Sequence, residues 1–324
     1  MSSQGYFDRR MIKLPNIIKI ILCSTISLAS FACSSNNIDE ITWLYSNTAP
    51  FHLAKHEQSP NGGLCDYLTE QLIKELPQIK HSRLQLPNQR ITKYLTEGHA
   101  ACHPCMIYRK TSTVRAIYSI PTTVYPPFSI ITTKNNAKTI SRQHGSPVRL
   151  INLLIDNSFI FGQTAARQFT NEINTIAKNT GAKEKGSLSW GSENESYAVI
   201  SRLNHGYIDY SIDYPFVADY YNRFTKQDNV IALPIEAPKN TFVLGAVGCS
   251  ATAPNNFAEK ALKIINEKLK QSILPSEKYQ ESQRKWLKNT FTDFDEYYQQ
   301  LILQPIAQPS SVVQEADQPS EAGR

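Results

Sequence analysis

The chain has 324 residues, of which 41% are hydrophobic, 10% aromatic and 19% charged, enough apolar mass for a large core and room for about two domains. That composition excludes a coiled coil, a collagen-like chain and a wholly disordered one. The formal net charge of +6 falls to +3 once residues 1–32 are set aside, and no basic run or basic stripe interleaved with aromatics remains, so the sequence gives no case for nucleic acid and none is expected as a partner.

Residues 1–32 read as a signal peptide. Arg9, Arg10, Lys13 and Lys19 form its basic head, residues 20–32 its apolar or small body, and Ser30-Phe31-Ala32 a small-x-small cleavage site. The apolar body is too short for a comfortable permanent span, and it is the one run in the chain that concerns a membrane, so a multi-pass protein is excluded. Met11 as the start would give a more usual signal length. Cys33 directly follows the cleavage site, which keeps a lipid anchor open beside plain secretion, although Ser30 stands where a lipoprotein signal wants leucine.

Residues 41–45 form a short β-rich run that ends in the turn Asn47-Thr48-Ala49-Pro50. Leu64, Leu68, Leu72 and Leu76 recur every four residues and predict a helix stopped by Pro77. Residues 82–86 alternate as a strand, residues 88–97 predict a second helix closed by Gly98, and residues 123–133 are extended around Pro126-Pro127. Residues 134–145 are polar and read as a connection. The pattern then repeats: a helix start and a strand over 148–161, a helix over 165–180, another over 197–204, a buried-type strand over 207–212, and strands at 230–233 and 241–247. Phe257, Ala261, Ile264, Ile265 and Leu269 mark a long amphipathic helix, and residues 279–287 another. The tail, 304–324, has three prolines and no aromatic and is expected to be disordered. Strands alternating with helices in two blocks predict an α/β fold of two lobes, each a mostly parallel sheet flanked by helices, with any ligand held between them.

The order of the motifs carries a resemblance. Ala49-Pro50-Phe51, Gly63-Leu64-x-Asp66, Thr111-Ser112-Thr113-Val114-Arg115 and Tyr118-Ser119-Ile120-Pro121 are followed in the second block by His205-Gly206-Tyr207-Ile208-Asp209 and Asp213-Tyr214-Pro215. Over residues 40–290 this is similar to the bacterial extracellular solute-binding proteins of family 3, the type II periplasmic binding fold, in a divergent branch. The resemblance implies a clamp closing on a small solute, with lobe 1 over 38–128 plus 235–303 and lobe 2 over 132–232. It also implies a periplasmic location, a monomer, and delivery of the solute to an inner-membrane ABC permease or a sensor.

Arg115 is the leading ligand-binding candidate. In the family the arginine of this segment grips the ligand's α-carboxylate, and a planar guanidinium matches a carboxylate with two parallel charge-assisted hydrogen bonds. Family members place an acid for the amino group where this chain has Tyr214, with Asp213 one residue earlier. On a strand that offset turns the side chain to the other face. Phe51, Trp43, Tyr45, Tyr125 and Trp190 are candidates to stack on the ligand, against core packing as the ordinary alternative. Ser192, beside Gly191 ahead of a helix, is a candidate anion contact. Glu193 and Glu195 read as solvated loop charges.

Cys102-His103-Pro104-Cys105 is the motif that argues for an enzyme. A C-x-x-C pair runs thiol–disulfide exchange when a helix N-terminus lowers one thiol's pKa, but here an extended run follows instead. Structural disulfides among Cys65, Cys102, Cys105 and Cys249 are therefore expected, in a pairing the sequence leaves open. No cofactor and no metal are expected: a zinc site from Cys102, Cys105, His99 and His103 would be crowded and lacks a second distant pair. No nucleophile elbow, phosphate loop or H-E-x-x-H occurs. The expected function is capture of a small carboxylate-bearing, amino-acid-like solute. The alternatives are a secreted thiol oxidoreductase using Cys102 and Cys105, and an interaction protein that keeps the fold without the cleft chemistry.

Overall fold

A computed structural model describes residues 38–55, 61–165, 167–180, 188–190, 194–236 and 242–307. The expected signal peptide, Cys33, Ser192, Glu193 and the tail beyond 307 lie outside the described residues, as does the side chain of Trp190.

Eleven strands are described: β1 (Glu40–Tyr45), β2 (Lys80–Gln85), β3 (Ala101–Ile107), β4 (Ala116–Tyr118), β5 (Thr123–Tyr125), β6 (Ser129–Thr133), β7 (Gly162–Thr164), β8 (Leu188–Trp190), β9 (Tyr210–Asp213), β10 (Val230–Pro234) and β11 (Val243–Ser250). The first sheet runs β2-β1-β3-β11-β4, with β5 also on β11. β1 pairs parallel with β2 and β3, while β11, returning from the second lobe, pairs antiparallel with β3, β4 and β5. The second sheet runs β10-β6-β9 with both pairings antiparallel, where a mostly parallel sheet is expected; parallel bridges to Val148 and Phe161 extend it, and β7 and β8 pair parallel beside it. The result is an α/β protein of two lobes, and the chain crosses from one to the other between β5 and β6, through Pro126-Pro127-Phe128.

The strand period decides which side chains meet which helices. On β1, Ile41 and Trp43 join the core that holds Leu68 and Leu72 of α1 (Asp66–Glu75). Leu44 faces the opposite way, into a second cluster with Ile91 and Leu95 of α2 (Asn88–Thr96). Helix α2 stops at Gly98, whose φ of +82° is a left-handed value that glycine adopts without strain. Two disulfides tie this lobe: Cys65–Cys105 joins the start of α1 to β3, and Cys102–Cys249 joins β3 to β11.

Three helices of the second lobe depart from the sequence reading. The polar stretch after β6 is a helix, α3 (Lys134–His144): the Thr133 hydroxyl caps it by accepting from the Asn136 N–H, and Ala137, Ile140 and His144 give it one buried face. After α4 (Leu150–Ile155), the helix expected from residue 165 begins only at α5 (Asn171–Asn179), because Thr170 caps it by accepting from the Ile173 N–H. After α6 (Glu195–Asn204), helix α7 (Pro215–Thr225) follows β9 directly, started by Pro215 and seated on Phe216, Val217, Ala218 and Tyr221. The sequence reading assigns it no element. The chain closes with α8 (Phe257–Lys268), α9 (Glu277–Leu287) and α10 (Phe294–Tyr298), and stays helical to Ala307, so residues 304–307, expected in the disordered tail, are helix instead. No helix among the described residues is long and apolar enough to cross a membrane.

Candidate functional site

The loop after β1 forms one wall of the space between the lobes, and the Gly63–Asp66 motif holds it. The Asp66 carboxylate accepts from the backbone N–H groups of Leu53 (2.9 Å) and Gly63 (2.7 Å) and from His52 Nδ1 (2.7 Å). The backbone N–H groups of Leu64 and Cys65 donate to the carbonyls of Pro50 and Phe51. A Cβ at Gly63 would sit 2.5 Å from the Phe51 carbonyl oxygen, so only glycine allows this approach. Burial opposes the Asp66 charge, yet the hydrogen bonds from His52, Leu53 and Gly63 outweigh it and hold the carboxyl below its usual value.

Between the lobes lies a cavity of about 130 Å³. The first lobe supplies Ser46, Thr48, Phe51, His52, His103 and Arg115, and the second supplies Arg167, Glu195 and Tyr214. Its three arginines differ in what holds them. Arg167 is paired with Asp213 and lies over the rings of Phe128, Phe169 and Tyr214, 5.3–5.8 Å from their centroids. Arg109 donates to the Phe169 carbonyl (2.9 Å) and to Asn171 Oδ1. Arg115 is given one side-chain partner among the described residues, the Thr92 hydroxyl at 3.2 Å, and no acid.

Glu195 supplies the cavity's negative charge. It is buried at the start of α6, and its Oε2 accepts from the Asn88 amide on the first lobe (3.0 Å) and from the Thr164 hydroxyl (2.9 Å). The reading of Glu195 as a solvated loop charge is therefore corrected: the first turn of a helix favours an acid, and the fold brings a partner 107 residues away in sequence to it.

The other predicted residues divide. Phe51, Tyr125 and Tyr214 line the cavity, with Phe51 edge-on to both tyrosines at 6.3 and 6.0 Å. Tyr214 stacks on Phe128 at 4.3 Å and on Phe216 at 5.3 Å. Burial raises both the Tyr125 and Tyr214 phenols, so each stays a neutral hydroxyl. Asp213 lines a narrow recess behind the main cavity, where it takes Arg167 and accepts from its neighbour's N–H at 2.7 Å. Burial, opposed in part by Arg167, leaves its carboxyl above the usual value. Trp43 and Tyr45 do not reach this cavity. They border a separate hollow of about 490 Å³ on the first lobe, and the Trp43 indole N–H donates to His81 Nδ1 (3.1 Å) from within the core. Cys102 and Cys105 sit on β3, and each is bonded to a distant cysteine rather than to the other. Cys105 borders the cavity 3.7 Å from the Tyr125 hydroxyl.

Two histidines meet at this wall: His52, to which the sequence reading gives no role, and His103, which it weighs only as a ligand of a crowded zinc site. His52 and His103 line the cavity with ring centroids 5.8 Å apart. His103 donates from Nδ1 to the Leu44 carbonyl (2.8 Å). Desolvation, with His52 and Arg115 nearby, pushes its pKa down to about 3, so the ring is neutral.

No protein-family model matches the chain, and comparison with curated proteins finds no match. Solved structures do match. An ancestral arginine-binding protein bound to arginine superposes with a TM-score of 0.56 at 16% identity, over 77% of this chain and 98% of that one. An ABC uptake transporter substrate-binding protein from Streptococcus pneumoniae with bound histidine gives 0.56 at 15% identity, over 76% and 91%. The fold is that of the type II periplasmic binding proteins. A histidine kinase sensor domain with similarity to periplasmic binding proteins also matches, at 0.56 and 12% identity, over 78% and 97%. The identities are too low to transfer a ligand, so the case for one rests on the side chains of the cavity.

Proposed function

We propose that this protein is an exported solute-binding protein whose two lobes close on a small amino-acid-like solute, handed on to an ABC permease or reported to a sensor. The observation that carries this reading is the inequality among the cavity's arginines: Arg167 and Arg109 are engaged by other parts of the protein, whereas Arg115 faces the cavity with a hydroxyl for its partner. A guanidinium so placed suits an incoming carboxylate, which it would take in a bidentate pair.

Glu195 gives the opposite charge from the other lobe. One cation and one anion across a small cavity fit a zwitterion, carboxylate toward Arg115 and ammonium toward Glu195. Phe51, Tyr125 and Tyr214 would cover its apolar part. Asn88 to Glu195 and Arg109 to Phe169 bridge the lobes, so closure and ligand contact involve neighbouring groups. The solved structures with this fold include both transporter components and a kinase sensor domain, which supports the import and sensing arms alike.

The test is a thermal-shift panel of amino acids, polyamines and short peptides. A cognate solute at a hundredfold excess over Kd adds about 2.7 kcal/mol of apparent stability. Arg115→Ala is expected to stay folded and to lose that shift. An unchanged response in this variant would retire the carboxylate clamp.

A further inference from the structure

His52 is buried and its Nε2 has no hydrogen-bond partner, although the ring borders the cavity. Such an atom costs free energy unless something meets it. Its Nδ1 is engaged by the Asp66 carboxylate, and the Nδ1 of His103 by the Leu44 carbonyl. In both rings Nε2 is thus the nitrogen left over. Metal-bound histidines are built this way: the distal N–H donates to a carboxylate or a backbone carbonyl, which fixes the tautomer and raises the basicity of the other nitrogen. The spacing agrees as well. Two imidazoles bound through Nε2 at ~2.0–2.1 Å hold their ring centroids roughly 5–6.5 Å apart, and these lie 5.8 Å apart.

We propose that His52 and His103 form a two-histidine site for a divalent transition-metal ion on the first-lobe wall of the cleft. Imidazole ligands favour Cu²⁺, Zn²⁺ and Ni²⁺ over Mg²⁺ or Ca²⁺. No third His, Cys, Asp or Glu joins them among the described residues, so water or a chelating solute fills the remaining positions. The four described cysteines are all in disulfides and contribute nothing.

The experiment is a calorimetric titration of the metal-free, untagged full chain with Zn²⁺ and with Cu²⁺, no organic solute present. One ion per chain is expected. His52→Phe and His103→Phe should each weaken it at least tenfold, and Asp66→Asn by about ten- to a hundredfold. His99→Gln, at an exposed histidine, should change nothing. Circular dichroism checks that the variants fold, and EPR of the wild-type Cu²⁺ complex, showing two imidazole nitrogens, reads the site without any substitution. Binding weaker than about 100 μM, wild-type affinity retained in either histidine variant, or fewer than two imidazole nitrogens would each overturn the site. Because no solute is present, this failure and that of the carboxylate clamp are independent.

Discussion

On the first-lobe wall of the cleft both imidazole rings are anchored through Nδ1. Asp66 ties His52 and two backbone N–H groups, Leu44 ties His103, and two disulfides pin β3 to α1 and to β11 behind them. The second-lobe wall has none of the four described disulfide-bonded cysteines. It relies on the Arg167–Asp213 pair, the Phe128–Tyr214 stack and a single buried acid at a helix start. The contrast assigns different work to the two walls. On the proposed function, a fixed first wall would keep Arg115 and the imidazoles oriented before any solute arrives, which lowers the ordering cost of binding. On that same proposal, a second wall held to the first by a few polar contacts would be the one that closes.

The largest expected effect breaks the rigid wall itself. Removing the Cys102–Cys249 bridge with paired alanines should cost about 2–5 kcal/mol of stability. Its partners are 147 residues apart, against 40 for Cys65–Cys105, so chain entropy makes the second removal about 1 kcal/mol milder. Chemical denaturation of the two double variants compares them, and the opposite ranking would remove β3–β11 as the wall's main fastening.

A smaller effect comes from pH. The folded-state pKa of His103, about 3, lies below the unfolded value near 6.5, so the unfolded chain binds the extra proton. Stability is therefore full above about pH 6.5 and declines as pH falls toward 3, by about 2–3 kcal/mol between pH 7 and 4.5. Asp66, with its lowered pKa, adds its loss only in the more acidic carboxylate range. Denaturation midpoints across this range should flatten between pH 7 and 4.5 in His103→Gln, and an unaltered slope would show that the ring is not held neutral.

The smallest effect tests the looser wall. Asn88→Ala deletes the amide that reaches Glu195 across the cleft, worth about 1 kcal/mol, or roughly fivefold in solute affinity. A loss in the off-rate rather than the on-rate would place that bond in the closed state. No change at all would make it incidental to closure.

The first lobe was the more legible of the two in sequence, for the same reason that it is rigid. Leu64, Leu68, Leu72 and Leu76 announce α1, and Gly98 its successor's end, because local pattern and tertiary packing agree there. In the second lobe α3 hid behind polar residues, since Ala137, Ile140 and His144 suffice for a face once β6 and β10 lie beneath it. Trp43 is a stacking candidate in sequence, with core packing as the ordinary alternative, because aromatic identity does not say which strand face it occupies; the fold puts it in the core. His52 gave no signal and Glu195 little, for their meaning depends on Asp66, Asn88 and Thr164, partners that only the fold brings near. An exposed-looking acid just after Asn194, a helix cap, was the one clue to Glu195 available beforehand.

The central claim is that Arg115 is the carboxylate's anchor. It is tested most directly by calorimetry with the best-binding amino acid and its carboxamide, against wild type and Arg115→Ala. Wild type should prefer the acid by about 2–3 kcal/mol, or 30- to 150-fold, and the variant should bind both alike. A carboxamide that binds wild type as tightly as the acid, or a preference that survives in Arg115→Ala, would contradict it.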